Sequence, residues 1–465
     1  MRTATSTVSL PSLGQPRTDG HLAVELKKMQ WVDLGLKILI PLLLFGLLVI
    51  SLHYGSLASY FQLLDRHQYV SSLTVLGGGL TLSLILFQII RTILWARYKP
   101  YPLATGPLPR ISVIIPAYNE GAMVEQALNS VAASNYPADQ LEIICIDDGS
   151  KDDTWFYINQ ARQRYPKLIK TIRFPKNRGK KEGLYAAFRE ATGEFFVTID
   201  SDCVMDRDAL RQIVAPMLAD RKIGAVAGNG KVYNRHQSVF GKMLAVRFVL
   251  AFDFLRASQS RYGAVVCTPG ALSAYRGSAI RPYLEAWRHQ TFLGAPCHHT
   301  EDRALTNFIL RAGHYTVYQR SAVVHTLVPE SYCGLCKMYL RWERGNVRES
   351  FVQLGYILTR YRAQHRFLPV LDFFMTQLEF SLAFISLPLM VPVLLAAFIL
   401  QPLIILKFFT VLGIISLIYM IYYIWLERDL EFVYGVVYGY FAFFLLQWIY
   451  PYAFLTVRDR RWLTR

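Results

Sequence analysis

Leu141-Glu142-Ile143-Ile144-Cys145-Ile146-Asp147-Asp148-Gly149-Ser150 is an apolar, β-branched run that ends in two carboxylates and a turn. Such a run reads as a strand buried on both faces, and Asp-Gly-Ser as the turn that stops it. The pattern recurs on either side. Residues 111–115 form a second run, followed by Pro116-Ala117-Tyr118-Asn119-Glu120. Residues 195–199 form a third, followed by Asp200-Ser201-Asp202, and residues 223–227 a fourth. Residues 123–133 carry helical spacing, and a polar helix is predicted from Asp153. Strands alternating with helices predict an α/β domain with a mostly parallel sheet covered on both faces. Ligands in such sheets bind beyond the carboxyl ends of the strands, where Asp147 and Asp200 stand.

Outside this domain the composition changes. The chain has 465 residues, 53% of them hydrophobic, and a net charge of +17. Apolar residues concentrate at 34–52, 70–90, 378–400, 403–426 and 432–455, each near the roughly 20 residues a helix needs to cross a bilayer. Lysines and arginines cluster beside these runs, which favours a membrane surface over nucleic acid as the basic chain's partner. The sequence therefore divides into a disordered segment (1–33), a transmembrane hairpin (34–95), a cytosolic α/β domain (105–350), interfacial helices (351–376) and C-terminal transmembrane helices with a cytosolic tail (377–465). Within the interfacial stretch, Phe351, Leu354, Leu358 and Tyr361 recur at helical spacing, as in a helix lying in the membrane plane. Two spans, a domain and three more spans would put the terminal arginines outside, against the positive-inside rule. A break in residues 432–455 near Pro451 is the expected resolution, with the C-terminus in the cytosol. No signal peptide is visible, because the first apolar run starts late. Cys333 and Cys336 form a lone CxxC, and Cys297 precedes His298 and His299; without a second pair this is a weak zinc pattern.

Each acidic or basic element has a chemical reading and a structural one. Carboxylates at Glu120 and Asp147 suit hydrogen bonds from a base and ribose, or act as turn and cap groups. Asp200 and Asp202 are hard oxygen ligands for Mg²⁺ or Mn²⁺ beside a phosphate. Lys180, in Asn177-Arg178-Gly179-Lys180-Lys181, is a point charge for the donor or part of a solvated basic turn. Glu301 and Asp302 open a helix predicted over 302–310. Asp302 is the candidate general base, since paired acids raise one another's pKa; simple capping is the alternative. Arg341 can hold a diphosphate, and the Trp342 indole can stack on a sugar, or the pair can anchor at a membrane interface.

With these residues in view, the chain resembles glycosyltransferase family 2, and within it the membrane-embedded processive synthases, closest to class I hyaluronan synthases. The likeness rests on Asp147 to Ser150, Asn177 to Lys181, Thr198 to Asp202, Gly270 to Arg276, Gln290-Thr291-Phe292-Leu293-Gly294-Ala295-Pro296, Asp302 to Asn307, and Arg348-Glu349-Ser350. Trp462-Leu463-Thr464-Arg465 is similar to that family's terminal Trp-Gly-Thr-Arg. The resemblance implies a GT-A-like domain that polymerises UDP-GlcNAc and UDP-GlcA into hyaluronan with inversion and passes the polymer through its own spans. Pro116, Tyr118, Glu120, Asp147, Lys180, Asp200 and Arg341 would hold the UDP-sugar and Asp202 the metal, Mg²⁺ or Mn²⁺. Asp302 would be the base, and Trp342 would carry the growing polysaccharide acceptor. Membrane lipids are implied partners, with the chain acting alone or beside copies of itself. Four positions depart from the pattern. Met338 stands where the family's Gln-x-x-Arg-Trp motif has Gln, Arg344-Gly345 where a Lys-Ser pair is usual, and Glu301 where hyaluronan synthases tend to carry Asp. Nodulation chitooligosaccharide synthases carry Glu-Asp at that last site. A chitin-type synthase using UDP-GlcNAc alone, or a non-processive lipid glycosyltransferase, is the alternative.

Overall fold

The computed structural model describes residues 20–53, 68–359, 361–362, 364–400 and 403–459. Its sheet runs through β1 (Ile111–Ala117), β2 (Leu141–Asp147), β3 (Ile169–Arg173), β4 (Phe195–Thr198), β5 (Cys203–Met205), β6 (Ile223–Val232) and β7 (Ser273–Arg276). The small hairpin strands β8 (Thr291–Phe292) and β9 (Ala295–Pro296) and the long β10 (Tyr315–Thr326) complete the set. Eight strands form one sheet in the order β3-β2-β1-β4-β7-β6-β10-β5. The β1–β2, β1–β4, β2–β3 and β6–β10 pairs are parallel, whereas β7 and β5 pair antiparallel with their neighbours. The central strands are buried throughout because both faces are covered. Ile111, Val113 and Ile115 of β1, with Ile143 and Cys145 of β2, pack on one side with the helix Met123–Ala132. Ile114, Ile144 and Ile146 pack on the other with the helices Lys180–Glu190 and Glu301–Arg311. The period-two alternation of a strand thus divides one apolar run between two cores.

Among the described residues, four helices are long and apolar enough to cross a membrane: Asp33–His53, Val75–Ala96, Phe367–Ile385 and Ile405–Glu427. A fifth candidate is the pair Phe432–Leu446 and Ile449–Leu455, bent by 45°. The bend falls just upstream of Pro451, whose ring excludes the carbonyl four residues back, that of Gln447. The first helix reaches back to Gly20, so residues 20–33, expected to be disordered, are helical; residues 1–19 lie outside those described. Partners for its polar residues are near: Asp33 meets Lys37 at 2.9 Å and also pairs with Lys242, and Lys37 reaches Glu431 at 3.0 Å.

The expected separate interfacial helix is instead the end of one long helix, Tyr332–Ile357. It leaves Phe351 and Leu354 exposed, while Tyr361 beyond it is buried and Arg362 stacks on the rings of Tyr315 and Tyr361. The first half of the same helix packs with Leu446, Ile449 and Ala453 of the bent C-terminal pair, and its second half bonds to the helix Glu301–Arg311 through Arg303 and Asn307. The terminal residues 462–465 lie outside those described.

Candidate active site

The carboxyl ends of β1, β2 and β4 open into a cleft of about 1010 Å³. Pro116, Tyr118 and Glu120 line it from β1, Asp148 from β2, and Asp200, Ser201 and Asp202 from β4. Lys180 enters from the start of its helix, and Arg341 and Met338 close the opposite wall. Tyr118 also lines an adjoining hollow of about 650 Å³, walled by Gly149, Ser150, Lys151 and residues 173–177.

The charges on the cleft floor are ordered. The Lys180 ammonium donates to Asp200 Oδ1 at 2.5 Å and lies 2.9 Å from Glu301 Oε1. Burial opposes its charge, but these two carboxylates hold its pKa well above the ordinary lysine value. Asp302 Oδ2 accepts from the Gly270 N–H at 3.1 Å, and its Oδ1 accepts from the Arg303 N–H at 2.7 Å. Burial first, and the Glu301 charge second, push the Asp302 carboxyl above its ordinary value. Glu301 moves the other way, because Lys180 outweighs the effect of burial. Two adjacent acids therefore part in character, Asp302 shifted up and Glu301 down. A Cβ on Gly270 would stand 2.7 Å from Lys180 Nζ and 3.1 Å from Asp200 Oδ1, so a side chain there would displace the lysine from its acids.

Among the described residues, Asp200, Asp202 and Cys203 form the one group whose ligand atoms converge, all within 4.8 Å. Two carboxylates facing a cleft fit a hard divalent cation that keeps water and phosphate oxygens in its shell. Cys203 fits less well: it is fully buried, and burial together with Asp202 and Asp200 holds its thiol protonated. The CxxC cysteines divide between an exposed Cys333 and a buried Cys336.

Of the residues singled out from sequence, Pro116, Tyr118, Glu120, Lys180, Asp200, Asp202 and Arg341 meet in the cleft, and Asp302 sits at its base beside Lys180 and Asp200. Asp147 does not join them. Its side chain is fully buried, accepting from the Ser150 N–H at 2.9 Å and from Arg173 at 3.2 Å. Asp148 faces the cleft instead, its carboxylate accepting from the backbone N–H groups of Arg178 and Gly179. In a two-carboxylate turn the pleat decides which one points outward, and the composition of the pair does not.

Trp342 also lies off the cleft. Arg341 points into it, whereas Trp342, the next residue on the helix, packs beside Phe248 and Tyr339 at centroid distances of 6.3 Å and 5.6 Å. Besides Asp148, three further groups were missed. His298 and His299 line it, with burial and the charges of Arg341 and Arg348 holding His299 neutral at a pKa of about 4. Glu301 was read only as a partner of Asp302, yet it clamps Lys180. The sequence signal available was the unbroken polar run from His298 to Arg303.

The family model for glycosyl transferase family 2 matches residues 112–284. An N-acetylglucosaminyltransferase of Azorhizobium caulinodans is 32% identical over 77% of this chain and 87% of its own length. One from Rhizobium meliloti is 33% identical, but the match spans 54% of this chain and 59% of that relative. A hyaluronan synthase of Streptococcus pyogenes is 28% identical over 90% of this chain and 97% of its own. A solved mannosyltransferase of Pyrobaculum calidifontis, in complex with GDP-Man and Mn²⁺, superposes with a TM-score of 0.56 at 23% identity, covering 79% of this chain and 97% of that one. It shares the GT-A-like fold. The chain belongs to glycosyltransferase family 2 and is a membrane glycosyltransferase.

Proposed function

We propose that this protein polymerises UDP-sugars processively, taking UDP-GlcNAc and UDP-GlcA to build hyaluronan and passing the polymer into its own span bundle. The observation that carries this reading is the division of labour between consecutive residues of one helix: Arg341 lines the donor cleft, and Trp342 packs at the helix bundle. A non-processive transferase needs the first and has no use for the second. The hollow beyond Tyr118 would take the uracil. Lys180 and Arg341 would face the diphosphate, where their charge opposes the negative charge that grows as the sugar C1–O bond breaks. Asp302 would take the proton from the acceptor hydroxyl as that oxygen attacks C1, giving inversion. Asp200 and Asp202 would hold Mg²⁺ or Mn²⁺, which neutralises diphosphate charge when bound. The α/β domain is assigned to the cytosol, where nucleotide sugars are made, and the spans to the plasma membrane.

A chitooligosaccharide-type reading, using UDP-GlcNAc alone, is favoured by the Glu301-Asp302 pair and by the naming of the 32%-identical relative. Donor supply separates the two. Purified protein given both donors and Mn²⁺ should yield long polymer that hyaluronidase digests, and little from UDP-GlcNAc alone. Long polymer from UDP-GlcNAc alone would decide for the second reading, and a lipid-extractable monosaccharide product would exclude both.

A further inference from the structure

The hairpin β8–β9 stands just before Glu301 and Asp302 in the chain, and its tip does not line the cleft. Thr291 pairs with Pro296 and Phe292 with Ala295, so Leu293 and Gly294 form a two-residue tip. Both have positive φ, +48° and +75°. Hairpin tips of this kind usually take Asn or Gly at the first position, because a left-handed backbone crowds a larger residue's Cβ. The Leu293 side chain is also 64% exposed. An apolar side chain is thus held at the apex of a turn, in a conformation it disfavours, facing out of the protein. In water nothing offsets either cost.

A row of rings leads from this tip to the spans. Phe292 lies 6.0 Å from Phe351 between centroids, Phe351 6.4 Å from Phe454, and Phe454 5.6 Å from Phe384. Phe384 belongs to the candidate span Phe367–Ile385. It stands roughly 7 Å along the helix axis past Glu379, the last charged residue before Lys407. Phe351 also belongs to an exposed apolar row with Leu354 and Leu358, at helical spacing. An exposed apolar patch of this extent marks a contact surface, and one that runs on into an uncharged span is covered by what covers the span.

We propose that the β8–β9 hairpin docks the α/β domain on the bilayer, with Leu293 inserted among phospholipid acyl chains at the edge of the hydrocarbon. At the foot of the hairpin the Cys297 N–H donates to the Gln290 carbonyl at 3.0 Å, and the Cys297 carbonyl accepts from Lys181 at 3.0 Å. The contact therefore sets the height of the following acids above the lipid. It holds for an acidic or a neutral product alike. Phe156 provides the contrast. It is 62% exposed on the helix Thr154–Arg164, whose Ile158 and Ala161 join the core on the other face of the sheet from the helix Glu301–Arg311.

The test uses the full-length protein in phosphatidylcholine nanodiscs. Cys333, which is exposed, is replaced by serine, and this variant treated with dye supplies the background. An environment-sensitive fluorophore is attached to Leu293→Cys and, in a separate sample, to Phe156→Cys. The quenchers are a phospholipid with a nitroxide on its acyl chain and iodide in the buffer. The lipid nitroxide should quench several-fold more at position 293 than at 156, and iodide several-fold less. Iodide quenching at 293 equal to that at 156 would overturn the proposal. So would protection of 293 from both quenchers, which would mean that protein, such as a second copy of the chain, covers the tip. Leu293→Asn needs no label and suits the left-handed backbone. A tip in lipid predicts a lower melting temperature for it in the nanodisc, because an amide replaces apolar contact there. An equal or higher melting temperature would place the tip in water and reject the docking role.

Discussion

Asp302 and Glu301 are neighbours of one composition class with opposite electrostatic fates, and that split makes single-residue predictions sharp. Asp302→Asn should abolish UDP release with both donors, a loss of about 10²–10⁴-fold for a general base, while UDP binding by calorimetry persists. Retained turnover would remove the base assignment. The pH dependence follows from the direction of the shift. The base works ionised, and its pKa is raised, so kcat/KM should fall as pH drops through a value above the ordinary carboxylate range. Glu301→Gln removes the negative neighbour and should move that acid limb to lower pH. A limb that stays in place would show that Glu301 does not tune the base. For Trp342→Ala, mean product length should fall more than the rate of UDP release, because the ring lies off the donor cleft; an equal fall in both would deny it an acceptor role.

At the scale of elements, the helix Tyr332–Ile357 passes so close to Thr300, the residue before Glu301 and Asp302, that position 345 admits no side chain. A Cβ on Gly345 would stand 2.1 Å from the Thr300 side chain. Thr300 itself has φ +54° and accepts a hydrogen bond from Arg348 at 2.8 Å. Arg344, beside Gly345, turns to Thr456 and to Asp459 at 3.1 Å, past the bent helix pair. Gly345→Ser should lower the melting temperature, at a cost of about 1–3 kcal/mol for overpacking, and depress turnover. Adding Thr300→Gly should restore part of both, since it removes the clash and relieves the left-handed residue. If Gly345→Ser melts and turns over like the wild type, the contact is looser than the geometry shows.

The same scale separates what was legible in sequence from what was not. The strands β1, β2, β4 and β6 were readable because β-branched runs bounded by turn residues have few alternatives. The acidic strand ends were readable because the chain direction alone puts them at one edge. Helix ends beyond Ile357 were not, because the apolar face of Phe351 and Leu354 continues a helix already begun, and periodicity carries no start signal. Nor was the inward turn of Asp147, because two successive carboxylates at a strand end do not show in sequence which one the pleat turns inward.

Across the whole molecule, the two parts are joined by charge as well as by apolar packing. Arg91, near the end of the helix Gln68–Ala96, donates to Asp372 at 3.0 Å and to Glu379 at 2.9 Å on the helix Phe367–Leu400. Asp372 in turn accepts from Gln259 of the α/β domain at 3.0 Å. The Arg91 and Asp372 side chains are only 6% and 4% exposed, so neither charge has water to fall back on. Removing one member strands the other, which in buried pairs costs on the order of 3–5 kcal/mol. Arg91→Ala should therefore lower the melting temperature of the purified protein by several degrees. Replacing both partners with apolar residues of similar size, Arg91→Met with Asp372→Leu, should recover most of the loss, although Glu379 and Gln259 then lose a partner. The double variant separates two roles for the cluster. Recovery of melting temperature with short products would mean that the charges hold the bundle in register with the catalytic domain. Recovery of both would reduce them to a buried pair that apolar packing replaces, and no recovery of either would show that Glu379 and Gln259 carry as much of the junction as the pair itself.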